Sequence, residues 1–326
     1  MNAAVGITGA IVALLSVVGT LPTAHAQDYP TRSITVVVPF PAGGASDIVA
    51  RIVTEHMGRT LGQTLIIENI AGAGGTIGSA RVAAASPDGY VLLAGSMGSH
   101  VAAPVLTANL KYDAATDLIP VGLTAHSPAV IAARKDFPAK DFAEFLAYLK
   151  ANGDKVKQAH GGVGASSHMA CLMFNTVNGV KPSSIAYRGS GPAMNDLVGG
   201  HVDFMCEQSV SVSEQVASGA VKGFVVSAPT RLAVLPNVVS AKEAGIDYDM
   251  SIWAGIFAPK GTSQEIVGKL AGALDKALDD PSVAKRLGDL GASIPPKAER
   301  SPNAFGKIVT AEMARWHPIL KAISKN

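Results

Sequence analysis

Backbone amides and short hydroxyls, rather than charged side chains, are the groups this sequence gathers for binding. Four glycine-bearing turns each follow an apolar run: Pro39 to Asp47, Asn69 to Gly78, Gly95 to His100 and Gly161 to His168. Ser46, Thr76, Ser96, Ser99, Ser166 and Ser167 lie in those turns, and Ser190 lies in a further Gly-Ser-Gly stretch. Several converging N–H and O–H donors neutralise a carboxylate without a countercharge. That suits a site that must release what it holds. The first turn leads into a helix, with Ser46 or Asp47 as the N-cap candidate, and a helix N-terminus favours an anion. Phe40 gives that turn an apolar wall. Ser46 and Thr76 suit helix capping equally well.

Other chemistries fit poorly. Gly72-x-Gly74 starts a dinucleotide fingerprint, but its third glycine would fall at Ile77. Gly268-Lys269 lacks both the earlier glycine and the following hydroxyl of a P-loop. No Gly-x-Ser-x-Gly elbow is present. Ser167 and His168 are adjacent, so on a helix they point apart, which argues against a Ser/His dyad. His168 is expected to pack or hydrogen-bond locally. The 8 histidines are scattered, without His-x-x-x-His or Cys-x-x-Cys, so neither a metal nor a cofactor is expected. A net charge of +2, with 16% charged residues and no basic cluster, argues against a nucleic-acid partner. Arg51, Arg81 and Arg188 are the cations nearest the turns.

The elements that must position these turns alternate. Ile34 to Val38, Thr64 to Glu68 and Tyr90 to Ala94 read as strands, separated by helices over 46–61 and 75–85. That pattern predicts βαβ units on a parallel sheet. A second series begins at Val130 to Ala133. It continues through a helix over 141–151, Gln158 to His160, helices over 167–177 and 192–199, and strands at His201 to Cys206 and Val221 to Ser227. Ile252 to Phe257 and helices over 264–278, from Pro281 and over 303–323 complete the chain. No linker separates the two series, so the chain is expected to cross between them near 125–130 and 226–232. Clefts of this kind favour ligands at the carboxyl ends of strands.

Residues 1–26 read as a signal peptide, with an apolar run from Ile7 to Val18 and a small-x-small site at Ala24-His25-Ala26. No Lys or Arg precedes that run, and an uncleaved anchor is the alternative. About 300 residues remain, enough for two domains. The expected division is 27–127 plus 228–326 as domain I and 128–227 as domain II. Cys171 and Cys206, the 2 cysteines, read as buried thiols in preference to a bridge.

Together these segments resemble the substrate-binding proteins of tripartite tricarboxylate transporters, the Bug receptors. The resemblance rests on Tyr29-Pro30 with Ile34 to Asp47, Asn69 to Gly78, Asp88-Gly89-Tyr90, Gly162-Val163-Gly164-x-x-x-His168, Tyr187 to Ala193 with Gly199 to Asp203, and Ala258 to Thr262. It implies an α/β two-domain periplasmic binding protein, type II-like, that closes on a small carboxylate like a Venus flytrap. It implies membrane subunits of the transporter as partners, a monomer, and no catalysis. Carried onto this chain, the ligand contacts are Phe40, Ala42, Gly43, Gly44, Asp47, Ala73, Gly74, Gly164, Ser166 and Ser167. Ser96 and His100 on the third turn and Arg188 on the Gly-Ser-Gly stretch join them. Cys206, Glu207 and Gln208, at a strand end bordering the cleft, are expected to set specificity at the ligand's distal end, the alternative being that Glu207 and Gln208 are solvated. Asp47 beside an anion is expected to orient a water or bond back to the turn amides. Dicarboxylates lead as ligand class, including aromatic ones such as terephthalate, with Phe40 and Met97 as ring walls. A receptor that presents its ligand to a sensor kinase, or a secreted serine hydrolase, are the rivals.

Overall fold

A computed structural model describes residues 28–323, so the expected signal segment lies outside the described residues. Strands β1 (Ile34–Val38), β2 (Leu65–Asn69) and β3 (Val91–Ser96) pair in parallel in the order β2-β1-β3. Ile34 and Val36 to Val38 are fully buried, as β-branched residues in a strand covered on both faces should be. Helices α1 (Ala45–Leu61) and α2 (Thr76–Ala83) make the crossovers. After β3, where the sequence suggests a plain turn, Gly98–Ala102 form a π-helical turn that runs into α3 (Ala103–Leu106).

The two halves of the sheet share one strand. β4 runs from Leu118 to Arg134. Its residues Leu118 to Pro128 pair with β10 (Ser251–Pro259), which also pairs with β3. From Ala129 onward, β4 pairs instead with β7 (Phe204–Gln208) and β8 (Val221–Val226). The second half continues from β7 to β5 (Lys157–His160) and β6 (Ser183–Ala186), with α4 (Phe142–Asn152), α5 (Ser166–Asn178), α6 (Ser190–Val198) and α7 (Ser209–Ala217) around it. The short β9 (Val239–Ser240) pairs with β8, so strand pairing carries the second half as far as Ser240. Helices α8 (Gln264–Asp279), α9 (Pro281–Gly288) and α10 (Pro302–Ile323) then return to the first half. There Val49, Ile52, Val53 and Met57 of α1 pack against Leu274, Ala277 and Leu278 of α8.

Three readings need correction. β4 is far longer than the expected strand at Val130 to Ala133. Pro120 and Pro128 mask its first part, because proline weakens a strand pattern. Pro120 sits beside a register shift, and Pro128 sits where β4 changes partner. α1 opens at Gly44 as N-cap, ahead of both Ser46 and Asp47. Finally, Cys171 and Cys206 are not thiols but a disulfide joining α5 to β7. α5 lies on β7 and brings the two Cα atoms to 5.2 Å, within bridging range.

Candidate functional site

The first wall of the site is the turn between β1 and α1. Gly43 has φ +79°, a conformation that favours glycine. Gly44, the N-cap, offers no side-chain cap, so the first N–H groups of α1 stay uncapped by its own chain. Asp47 sits in the first helical turn and is buried. Its Oδ2 accepts from the Gly43 N–H and from Arg51 Nε, both at 2.9 Å. Its Oδ1 accepts from Asn69 Nδ2 at 2.9 Å, and Asn69 also donates to the Phe40 carbonyl. Burial alone would raise the Asp47 pKa. The Arg51, Gly43 and Asn69 bonds outweigh it and hold the carboxyl below its usual range. Asp47 thus bonds back to its own turn and ties it to the end of β2.

The second wall comes from the other half. α5 begins after Ala165 and α6 after Gly189, again with no side-chain cap. Ser167 Oγ accepts from the Gly161 N–H at 2.9 Å. His160 Nδ1 accepts from Gly162 N–H at 3.2 Å and His168 Nδ1 from Gly164 N–H at 3.4 Å, with the two rings stacked 4.2 Å apart. Burial lowers the His160 pKa, and burial followed by the neighbouring His160 lowers that of His168 to about 4. Two neutral imidazoles therefore buttress the Gly-rich turn, which is the local role expected of His168.

The walls touch. A Cβ at Gly74 would collide with the Val163 carbonyl, and one at Gly189 would collide with the Pro41 ring. Gly98 N–H donates to Ser166 Oγ at 3.2 Å across the gap, and Ser96 Oγ lies 3.4 Å from the same oxygen. Between the walls lie three adjoining cavities. The central one, about 20 Å³, has Phe40, Gly44, Ser46, Ser166, Ser167 and Ser190 in its lining and Glu207 at its edge. A second, on the α6 and α7 side and termed the inner cavity, about 190 Å³, shares Ser190 and Glu207 and adds Asn195, Gln215 and the exposed Gly43. An outer one, about 160 Å³, shares Phe40 and adds Ala73, Gly74, Tyr187 and Arg188. A central volume of 20 Å³ holds little more than one water, so the walls must part to admit an organic acid.

Most of the expected contacts therefore meet at one cleft: Phe40, Gly43, Gly44, Ala73, Gly74, Ser166, Ser167, Arg188 and Glu207. Ser96 stands behind Ser166, and Gly164 packs near Ala103. Four expected contacts are placed elsewhere. Ala42 is exposed at the tip of its turn and lines none of the three cavities. Asp47 is committed to Arg51 and Asn69. His100 is fully buried, stacked on Phe257 at 3.8 Å, and burial drops its pKa to about 3. The π-helical turn aims it into the core rather than the cleft. Cys206 is spent in the disulfide and lies in the core. Met97, the second expected ring wall, is likewise buried in the core. Lining residues that the expectations missed include Pro41, Gly161, Ala165, Gly189, Asn195 and Gln215. Gln215 comes from α7, whose alternating Ser-Val-Ser-Val start hides a helix.

The three helix N-termini of α1, α5 and α6 thus converge from both halves on one cleft. Among the described residues no Lys, Arg or His lines its central or inner cavity. Among the described residues no helix is long and apolar enough to cross a membrane. Comparison with known proteins agrees with this architecture. The family described as "Tripartite tricarboxylate transporter family receptor" matches residues 49–325. MatC from Rhodopseudomonas palustris, solved with bound malate, is 43% identical, covers 90% of this chain and all of its own, and superposes with a TM-score of 0.86. The periplasmic binding protein BugD is 40% identical over 91% of this chain and 99% of its own, with the same TM-score of 0.86. An R. palustris protein solved with adipate is 29% identical, covers 91% of this chain and 98% of its own, and also gives 0.86. Its neighbours carry the two-domain fold of periplasmic solute-binding proteins, and the chain belongs to the tripartite tricarboxylate transporter receptor family, the TctC or Bug solute-binding receptors.

Proposed function

We propose that this protein captures a small organic carboxylate in the periplasm and delivers it to the membrane subunits of a tripartite tricarboxylate transporter. It would do so as a monomer, after removal of residues 1–26. The observation that carries the reading is the convergence of three uncapped helix N-termini, from α1, α5 and α6, on a central cavity that no basic side chain among the described residues lines. Free N–H groups and helix dipoles hold a carboxylate there, and the hydroxyls of Ser46, Ser166, Ser167 and Ser190 lie within the same lining. The malate and adipate of two relatives support a dicarboxylate. Phe40 at the central cavity and Tyr187 at the outer one supply the aromatic lining, since Met97 is in the core.

The jaws are domain I, 27–127 plus 241–326, and domain II, 128–240; the expected boundary at 227 moves to 240 because β9 pairs with β8. They part by bending at β4 and at the return before β10. A ligand that bridges both walls binds the closed form better and shifts the population toward it. The closed form is what the transporter reads.

A thermal-shift screen of mono-, di- and tricarboxylates, terephthalate included, tests this. Ligand at a hundredfold excess over Kd stabilises by about 2.7 kcal/mol, which a melting curve resolves. A shift with carboxylates and none with amines or sugars is expected. No shift with any carboxylate, together with turnover of an ester, would overturn the reading.

A further inference from the structure

Glu207 stands apart from the rest of the cleft. It is 1% exposed, at the end of β7, and it borders both the central and the inner cavity. Its Oε1 accepts from the Gln208 N–H at 2.8 Å, but its Oε2 has no hydrogen-bond partner. The Ser190 and Ser211 hydroxyls lie near and favour the charged form, yet neither closes a bond to Oε2. Gln215 Oε1, which lines the same inner cavity from α7, is also buried without a partner. An unpaired buried oxygen is costly, so two facing one cavity mark a place for a donor.

Among the described residues no cation fills that place. The groups around Glu207 are Val130 opposite on β4, Gln208 next to it on β7, Ser190, Met194 and Asn195 on α6, and Ser211 and Gln215 on α7. Titratable groups elsewhere at the cleft are engaged. Asp47 is bonded to Arg51, His160 to the Gly162 amide, and Tyr187 to Asp196 at 2.6 Å. Arg188 is exposed on the outer cavity.

Resting on the receptor reading above, we infer that the inner cavity is a subsite for a hydrogen-bond donor on the ligand, a hydroxyl or an ammonium group, with Glu207 as the residue that selects it. The ligand carboxylate sits against the helix N-termini, where donors crowd. Its hydroxyl or ammonium turns inward, where acceptors wait. Burial raises the Glu207 pKa, which fits a carboxyl that lacks a permanent cation. The ligand class narrows from carboxylic acids in general to hydroxy- or amino-substituted ones.

Calorimetric titration of the mature protein with matched skeletons tests the inference. The probes are succinate, malate and aspartate, then glutarate, 2-hydroxyglutarate and glutamate. A bond to a buried charged group is worth roughly 1.5–3 kcal/mol, so a substituted acid should bind about tenfold or more tightly than its parent. Glu207→Ala should erase that preference, so that the substituted acid binds no more tightly than its parent to the same variant. Glu207→Gln separates the sources: it keeps an acceptor for a hydroxyl but loses the charge for an ammonium. Gln215→Ala, at a less buried position, carries the same test if the Glu207 variants do not fold, and should shrink the preference. Equal binding of parent and substituted acids, or a preference that survives these substitutions, overturns the inference and leaves the receptor reading intact. Absence of binding by every carboxylate overturns the receptor reading itself.

Discussion

At the cleft, α1, α5 and α6 begin after Gly44, Ala165 and Gly189, residues whose side chains cap nothing. Away from it, α4, α8 and α9 begin at Asp141, Ser263 and Asp280, and each of those side chains accepts from an N–H of its own first turn. α2 and α7, which also start near the cleft, follow the first pattern with Gly75 and Gln208. A side-chain cap contributes about 1 kcal/mol over alanine and a few tenths over glycine, so Ala165, Gly44 and Gly189 together forgo roughly 1.5 kcal/mol. The scaffold helices satisfy themselves, whereas the cleft helices leave their donors for something else. The difference separates residues that hold the fold from residues that hold a ligand, without any charged side chain marking the boundary.

The most forceful way to break this contrast is to cap a cleft helix. Ala165 has extended dihedrals, φ −70° and ψ 156°, that suit an aspartate N-cap, and it lines the central cavity. Ala165→Asp should satisfy the first turn of α5 from within the chain and place a negative charge where the ligand carboxylate belongs. We expect affinity for the carboxylate to fall by about a hundredfold or more, some 2.7 kcal/mol. The melting temperature without ligand should hold or rise. Calorimetry and a melting curve on the same variant check both. Unchanged affinity would remove α5 from the cradle.

A smaller effect is expected from loosening one wall without touching the cavity. Asp47→Asn removes the charge that holds Gly43 N–H and Arg51. The turn should lose its fixed shape, and affinity should drop by roughly tenfold while the ligand preference order stays the same. The variant also has a pH signature. Because the folded pKa of Asp47 lies below its unfolded value, the native state binds fewer protons than the unfolded state in the acid range. Its stabilisation is present above the ordinary carboxylate range and is lost as pH falls through the folded pKa. Asp47→Asn should flatten that acid limb. Glu207, raised by burial, has the opposite sign. It costs stability as pH rises past the ordinary carboxylate range toward its folded pKa, so Glu207→Gln should gain over wild type on the alkaline side. Melting curves from acid to mildly alkaline pH compare the two carboxyls directly, and parallel slopes for both variants would contradict the assignment.

The cleft was legible in the sequence where the signal is local, and hidden where it depends on packing. Ile34 to Val38 followed by glycines and a Ser-Asp pair reads as strand, turn and helix, because backbone geometry alone demands those residue types. The second wall at Gly161 to Ser167 reads the same way. His100 is read into the cleft because position on a turn does not say which way a side chain points, and the π-helical turn sends it inward. The disulfide needs a distance between α5 and β7 that spacing along the chain does not contain. Glu207 is legible as a strand-end acid, but its missing partner appears only once α6 and α7 close around it.

The mildest test lies on the scaffold side of the contrast. Asp141 Oδ1 accepts from Glu144 N–H at 2.9 Å, and α4 buries Phe142, Phe145 and Leu149 in the core of the second half. Asp141→Ala removes a cap and nothing else in the cleft, since α4 contributes no residue to the three cavities. It should cost about 1 kcal/mol of stability, which for a chain of this size lowers the melting temperature by a few degrees. Carboxylate affinity should stay within about twofold of wild type, the span of a change under 0.5 kcal/mol. Set beside Ala165→Asp, the pair forms a crossed design. Removing a scaffold cap moves stability without affinity, and adding a cleft cap moves affinity without loss of stability. If Asp141→Ala weakened ligand binding as much as it weakened the fold, helix capping and ligand holding would not be separable in this protein, and the uncapped N-termini at the cleft would be a property of the fold rather than of the site.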